Sequence, residues 1–306
     1  MARVVYHPLD GILLLDKPLG LSSNIALQKV RRLFQAAKAG HTGTLDPLAT
    51  GLLPVCFGEA TKFSGSLLDA DKSYRALVRL GQVTATGDAE GEVIAELPVD
   101  VEEQQIQQVL LRFQGEIQQL PPMHSAIKHH GKPLYEYIRK GETVQRTART
   151  VTIHELVLDR FAGDELEITV HCSKGTYIRT LAEDIGQALG CGAHLRGLRR
   201  LSIGRFSLDD AYGWEQLEGM DGAEREACLL PLDCMLQDLP ALELESAQVT
   251  RIAQGQRLPL DAGLPDGRLR LYGAGGFIGV GVLTERILAA ERLLSGVAKN
   301  AAAGSD

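Results

Sequence analysis

The chain has 306 residues, 44% apolar and 23% charged, with a formal charge of −7. That is an ordinary soluble composition, long enough for a large core and suggesting two domains, one large and one small. No apolar run approaches the roughly 20 residues of a bilayer-spanning helix, Met1 to Pro8 lacks the apolar stretch of a signal peptide, and five scattered cysteines (Cys56, Cys172, Cys191, Cys228, Cys234) argue for reduced thiols and a cytoplasmic location.

Gly11 to Leu15 reads as a short buried strand ended by the turn Asp16-Lys17-Pro18-Leu19-Gly20. Ser22 or Ser23 then caps a helix whose apolar face is Ala26, Leu27, Val30, Leu33 or Phe34, and Ala37, closed by Gly40. Leu52 to Phe57 reads as a buried strand, and Tyr74 to Leu80 alternates, with Tyr74, Ala76, Val78 and Leu80 on one face. Glu102 to Phe113 has helical spacing. Leu166 to Cys172 alternates again, and Gly175-Thr176 open a helix with Ile178, Leu181, Ala182, Ile185 and Leu189 inward, closed by Gly190.

The expected architecture is α+β, a mixed and mainly antiparallel sheet flanked by helices. After Pro240 short β-like runs alternate with Gly-Asp-Pro turns, which places a domain boundary near 239 and a small β-barrel over 240–300. Residues 301–306 are expected to be a disordered tail.

Gly40 to Gly51 carries one carboxylate, Asp46, between glycines and before Pro47, which restricts the backbone of Asp46 to extended geometry. So presented, Asp46 is a candidate reactive group. In Cys172 to Thr180 a strand gives way to a helix with Arg179 in its first turn, where a cation opposes the macrodipole by roughly 0.3–1 kcal/mol. Two readings stay open: Arg179 pairs with Glu183 one turn on, or it holds a carboxylate elsewhere in space. Tyr74 and Tyr177 are core aromatics or stacking platforms for a base. His41 is a loop hydrogen-bonder or part of the same site as Asp46.

The negative charge is uneven. Lys128, His129, His130, Lys132, Arg139, Lys140, Arg146 and Arg149 form one basic run, and Arg196, Arg199, Arg200 and Arg205 a second, so a polyanion contacting only those faces is allowed. The glycines at 273, 275, 276, 279 and 281 suit a hairpin better than a dinucleotide loop, and Cys191 and His194 lack the second pair of a zinc site.

Gly11 to Gly20, His41 to Gly51, Asp71 to Tyr74, Pro121 to Lys128 and Cys172 to Thr180 together resemble, in order and spacing, the TruB family of tRNA pseudouridine synthases over about residues 10–235. The segment after 240 looks like the small PUA-like RNA-binding barrel of bacterial members. The resemblance implies a catalytic domain over 1–239 with RNA-binding insertions, and isomerisation of uridine 55 in the TΨC arm of tRNA without metal, cofactor, membrane or obligatory protein partner. It implies Asp46 as the catalytic carboxylate, Arg179 as its partner, and Tyr74 as the ring that stacks on the base and assists removal of the C5 proton. His41, Tyr177 and Leu198 line the pocket. Lys17 matches a motif lysine with a structural or phosphate-facing role, and Lys128, Arg196, Arg199 and Arg200 are candidate phosphate contacts. An RNA chaperone and a guide-dependent synthase are the rival readings.

Overall fold

In the computed structural model, residues 5–122, 128–129, 132–133, 137, 144, 146–260 and 263–297 are described. The expected tail at 301–306 and most of the motif from Pro121 to Lys128 lie outside them. The main sheet runs β1 (Gly11–Lys17), β3 (Ala49–Phe57), β12 (Ala193–Ile203), β4 (Lys72–Leu80), β11 (Glu165–Cys172), β10 (Arg149–Ala162), β7 (Gly115–Gln119), with β2 (Ala39–His41) paired to β3 and β13 (Phe206–Ser207) to β12; β5 (Gln82–Thr84) pairs with β6 (Val93–Glu96), and β8 (Lys128–His129) with β9 (Lys132–Pro133). Only β3 and β12 run parallel in it; the other pairs are antiparallel, as the sequence pattern implies.

The period-two strands set which face is buried. Register pairs Val170 with Tyr74, Ile168 with Ala76 and Leu166 with Val78. This row packs with Ile106 and Leu110 of α3 (Glu103–Arg112) and with Leu181 and Ile185 of α4 (Ile178–Leu189), while α1 (Ser23–Leu33) and α2 (Gly65–Leu68) lie elsewhere. Each fully buried Leu or Ile contributes about 1.5–3 kcal/mol. The other face of β4 and β11 carries charge, including Arg75 paired with Glu167.

Strand β3 is apolar on both sides because both are covered. Leu53, Val55 and Phe57 meet Leu27, Val30 and Phe34, while Leu52 and Cys56 meet Ile203, Phe206, Met235 and Val280.

One boundary differs from expectation. The first helix stops at Leu33, where Gln35 turns left-handed at φ 50° and Arg31 bonds the carbonyls of Ala36 and Ala37. The freed chain becomes β2, so His41 ends a strand on the edge of β3.

The C-terminal unit is a five-stranded curled sheet, β14 (Ala241–Glu243), β16 (Gly267–Gly273), β17 (Gly276–Thr284), β18 (Ile287–Leu293) and β15 (Leu258–Pro259), with the helix Ser246–Ala253 on it. The clustered glycines form the β16–β17 hairpin, as expected. The unit docks through Phe277 against Phe63, centroids 5.4 Å apart, and through Lys62, which donates to the Leu293 carbonyl at 3.0 Å. No helix among the described residues is long and apolar enough to cross a membrane.

Candidate active site

The loop that carries Asp46 is pinned on both sides of it. Ser23, buried in α1, accepts from the Leu45 amide at 2.7 Å and donates to the Leu45 carbonyl at 2.9 Å. The Gly20 amide donates to the Pro47 carbonyl at 2.9 Å. Gly51 has φ +98°, and a Cβ there would stand 2.3 Å from the Arg200 carbonyl oxygen. The close approach that the glycines permit is therefore one by the chain's own β12.

Asp46 faces a cleft of about 330 Å³ together with Tyr74, Tyr177, Arg179, Leu198 and Arg200. Of the two readings of Arg179, the distant one holds. Its Nη2 donates to Asp46 Oδ2 at 2.5 Å across 133 residues of sequence. Its Nη1 lies 3.1 Å from Asp88 Oδ2, and no ion pair to Glu183 forms among the described residues. Burial, then the neighbouring Asp184, push the Glu183 carboxyl up, so it is a poor rival for the guanidinium.

Asp88 escaped the sequence reading. It is buried, accepts from Thr86 Oγ1 at 2.5 Å and the Glu90 amide at 3.1 Å, and its backbone bridges to Leu195 of β12. Arg179 thus lies between an anchored carboxylate and one that is about half exposed, 53% at the side chain of Asp46. In the sequence Asp88 is only the first acid of the stretch Asp88 to Glu96, which resembles any solvated acidic loop.

Tyr177 is the N-cap of α4, held through its backbone by the buried side chain of Gln119: its amide donates at 2.9 Å and its carbonyl accepts at 3.3 Å. His41 does not line the cleft; its Nδ1 is sealed without a hydrogen-bond partner among the described residues, and burial lowers its pKa. Lys17 is buried and donates to the carbonyls of Pro18 at 2.9 Å and Leu21 at 2.6 Å, the structural one of its two expected roles.

The expected arginine cluster is dispersed by strand alternation. Arg200 pairs with Tyr74 across β12 and β4 and is 1% exposed, so it leaves the set of surface phosphate contacts. Arg199 pairs with Arg75 on the opposite face and is bound bidentately by Asp16, at 2.7 and 3.1 Å. Arg196, at a bulge, pairs with Glu165. Lys128 lies in a two-residue strand whose side chains are outside the described residues.

Three family models match in succession: TruB family pseudouridylate synthase (N terminal domain) over residues 31–178, tRNA pseudouridylate synthase B C-terminal domain over 179–237, and Pseudouridine synthase II TruB, C-terminal over 240–294. The tRNA pseudouridine synthase B of Methylobacillus flagellatus is 56% identical over 292 residues, covering 95% of this chain and 97% of that one. The chain belongs to the TruB family. Its relative of the same name in Chromohalobacter salexigens is 57% identical, over 91% of this chain and 92% of that one. Among solved structures, a chain of a Cbf5-Nop10-Gar1 complex superposes with a TM-score of 0.71 at 27% identity, covering 92% of this chain and 84% of that chain.

The buried lysine of this TruB-family site has a consequence for stability. Burial pulls the Lys17 ammonium down from 10.5 to about 8, with Asp46 opposing and Arg200 adding to the fall. Between those values the unfolded chain binds the proton that the folded chain has released, so Lys17 makes stability rise with pH from about 8 to 10.5. Urea titrations of wild type and Lys17→Met across that range are expected to diverge, the wild type gaining relative to the variant. Parallel curves would remove Lys17 as the source.

Proposed function

We propose that this TruB-family enzyme converts uridine 55 in the TΨC arm of tRNA to pseudouridine, acting in the cytoplasm on bare tRNA. The observation that carries the reading is the chain of ion pairs Asp46–Arg179–Asp88 at the wall of a cleft that also holds Tyr74. A uridine within a folded arm must leave its stack, at a cost of a few kcal/mol, before a protein reaches its glycosidic bond. Stacking on Tyr74, about 1–3 kcal/mol, and phosphate contacts offset that cost.

Asp46 acts as an anion, either attacking the ribose or starting elimination toward a glycal. The Arg179 guanidinium orients it by a charge-assisted bond and disfavours its protonation beside a desolvated base. The detached uracil turns, C5 joins the ribose, and Tyr74 assists removal of the C5 proton. Residues 1–239 do the chemistry, and the unit over 240–300 adds RNA contacts.

The test is incubation of the isolated protein with unmodified tRNA transcript, followed by mapping of pseudouridine by site. Modification at position 55 is expected. Binding without turnover would favour the chaperone reading, and turnover only with added guide RNA the guide-dependent one.

Arg196 and Arg199 are the exposed arginines retained as phosphate contacts. Each must exchange its carboxylate for a phosphate, so Arg196→Gln and Arg199→Gln are expected to reduce the salt slope of tRNA binding by about one each. An unchanged slope would strike them from the interface.

A further inference from the structure

Arg200 carries a buried positive charge with no carboxylate within ion-pair distance among the described residues. Such a charge is expensive to keep unless something nearby requires it. Its Nε donates to the Leu52 carbonyl at 2.7 Å and its Nη2 to the Gly43 carbonyl at 3.2 Å, which fixes the fork between β3 and the Asp46 loop. Its cross-strand partner is Tyr74, 8% exposed and lining the same cleft. Both side chains line the cleft, and the guanidinium charge favours the ionised form of the Tyr74 hydroxyl.

We propose that Arg200 is a positioning residue for proton transfer at Tyr74, its guanidinium serving as the fixed counter-charge of the phenolate that takes the C5 proton. This rests on the reading of the cleft as the uridine site. Once C5 has joined the ribose it carries both the sugar and its hydrogen. Tyr74 Oη takes that proton, the C–H electron pair becomes the C5–C6 double bond, and the C6–N1 π pair returns to N1. The phenol then passes the proton through solvent to N1, which regenerates the phenolate and neutral pseudouridine with no co-reactant.

The surroundings explain why a cation is needed. Burial raises the Tyr74 phenol above its ordinary value, the Arg200 charge draws it back, and Cys172 of β11 and Asp46 raise it. Lys17 of β1, Lys72 of β4 and His41 of β2 all feel the Arg200 charge as repulsion. Lys72 is held by the carbonyls of Leu68 at 3.1 Å and Ala70 at 2.5 Å, at the foot of α2, and Lys17 by those of Pro18 and Leu21. Arg200 is the cation that strand register sets beside Tyr74.

The experiment is single-turnover kinetics on tRNA carrying uridine or 5-deuterouridine, for wild type, Arg200→Gln, Arg200→Lys and Tyr74→Phe, with folding checked by circular dichroism. Arg200→Gln is expected to slow pseudouridine formation by at least about tenfold, to raise the pH at which the rate rises, and to bring out a primary deuterium isotope effect. Arg200→Lys, which keeps the charge but not the fork, should fall between the two. In the Tyr74→Phe background, loss of Arg200 should add little, because the pair acts as a unit. A merely structural role would lower the rate with no isotope effect and an unmoved pH profile, and that result overturns the proposal. Should Arg200→Gln not fold, an isotope effect and pH profile in Arg200→Lys identical to wild type overturn it equally. A wild type that makes no pseudouridine would instead refute the function proposed for the cleft.

Discussion

Asp46→Asn is expected to abolish turnover, by about 10⁴-fold or more, while tRNA binding and the fold persist. Asparagine keeps the shape and the clamped backbone on either side, since Ser23 and Gly20 bond to the main chain of Leu45 and Pro47 and not to the side chain. What it removes is the negative oxygen that meets Arg179. With 53% of that side chain exposed, neutralising it should change stability little. Quantified pseudouridine formation and tRNA binding by filter retention separate the two effects. Activity near wild type would refute the role given to Asp46, and lost binding would turn it from a reacting group into a recognition group.

Asp88→Ala should produce the largest stability loss of any single change at the site. The Arg179 and Asp88 side chains are 9% and 5% exposed, and removing Asp88 leaves the guanidinium only the half-exposed Asp46, a loss of about 1.5–3 kcal/mol for a buried charge-assisted bond. The Thr86 hydroxyl and the Glu90 amide lose their acceptor as well. Activity should fall about 10²-fold in kcat with KM little changed, since a loosened Arg179 no longer fixes Asp46. Asp88→Asn is the sharper test of charge. Its oxygen can still accept from Thr86 and Glu90, but its amide would meet the guanidinium donor to donor. Urea denaturation with single-turnover assays checks both variants, and stability within about 1 kcal/mol of wild type for Asp88→Ala would show that the pair is dispensable.

Several elements were legible because their causes are local. The alternation in Tyr74 to Leu80 and Leu166 to Cys172 and the helix closed by Gly190 appear where expected. The first helix ends earlier than its apolar spacing implies because its stop, a left-handed Gln35, involves neither glycine nor proline. Asp46 stood out through its glycines and Pro47. Arg179 stood out through its awkward place at a helix start, but its partner did not.

By itself the sequence determined the periodic strands and helices, the presentation of Asp46 in a tight loop, and the family motifs, because turn chemistry and side-chain periodicity act over a few residues. Only the tertiary structure decided that Arg179 lies between Asp46 and Asp88, that Ser23 clamps Leu45, and that Arg199 and Arg200, neighbours in sequence, face opposite sides of the sheet. The physical reason is that such pairings depend on strand order. Placing β12 between β3 and β4 brings residues from distant stretches to one cleft, and a charge finds its partner by proximity in space, which a linear chain does not display.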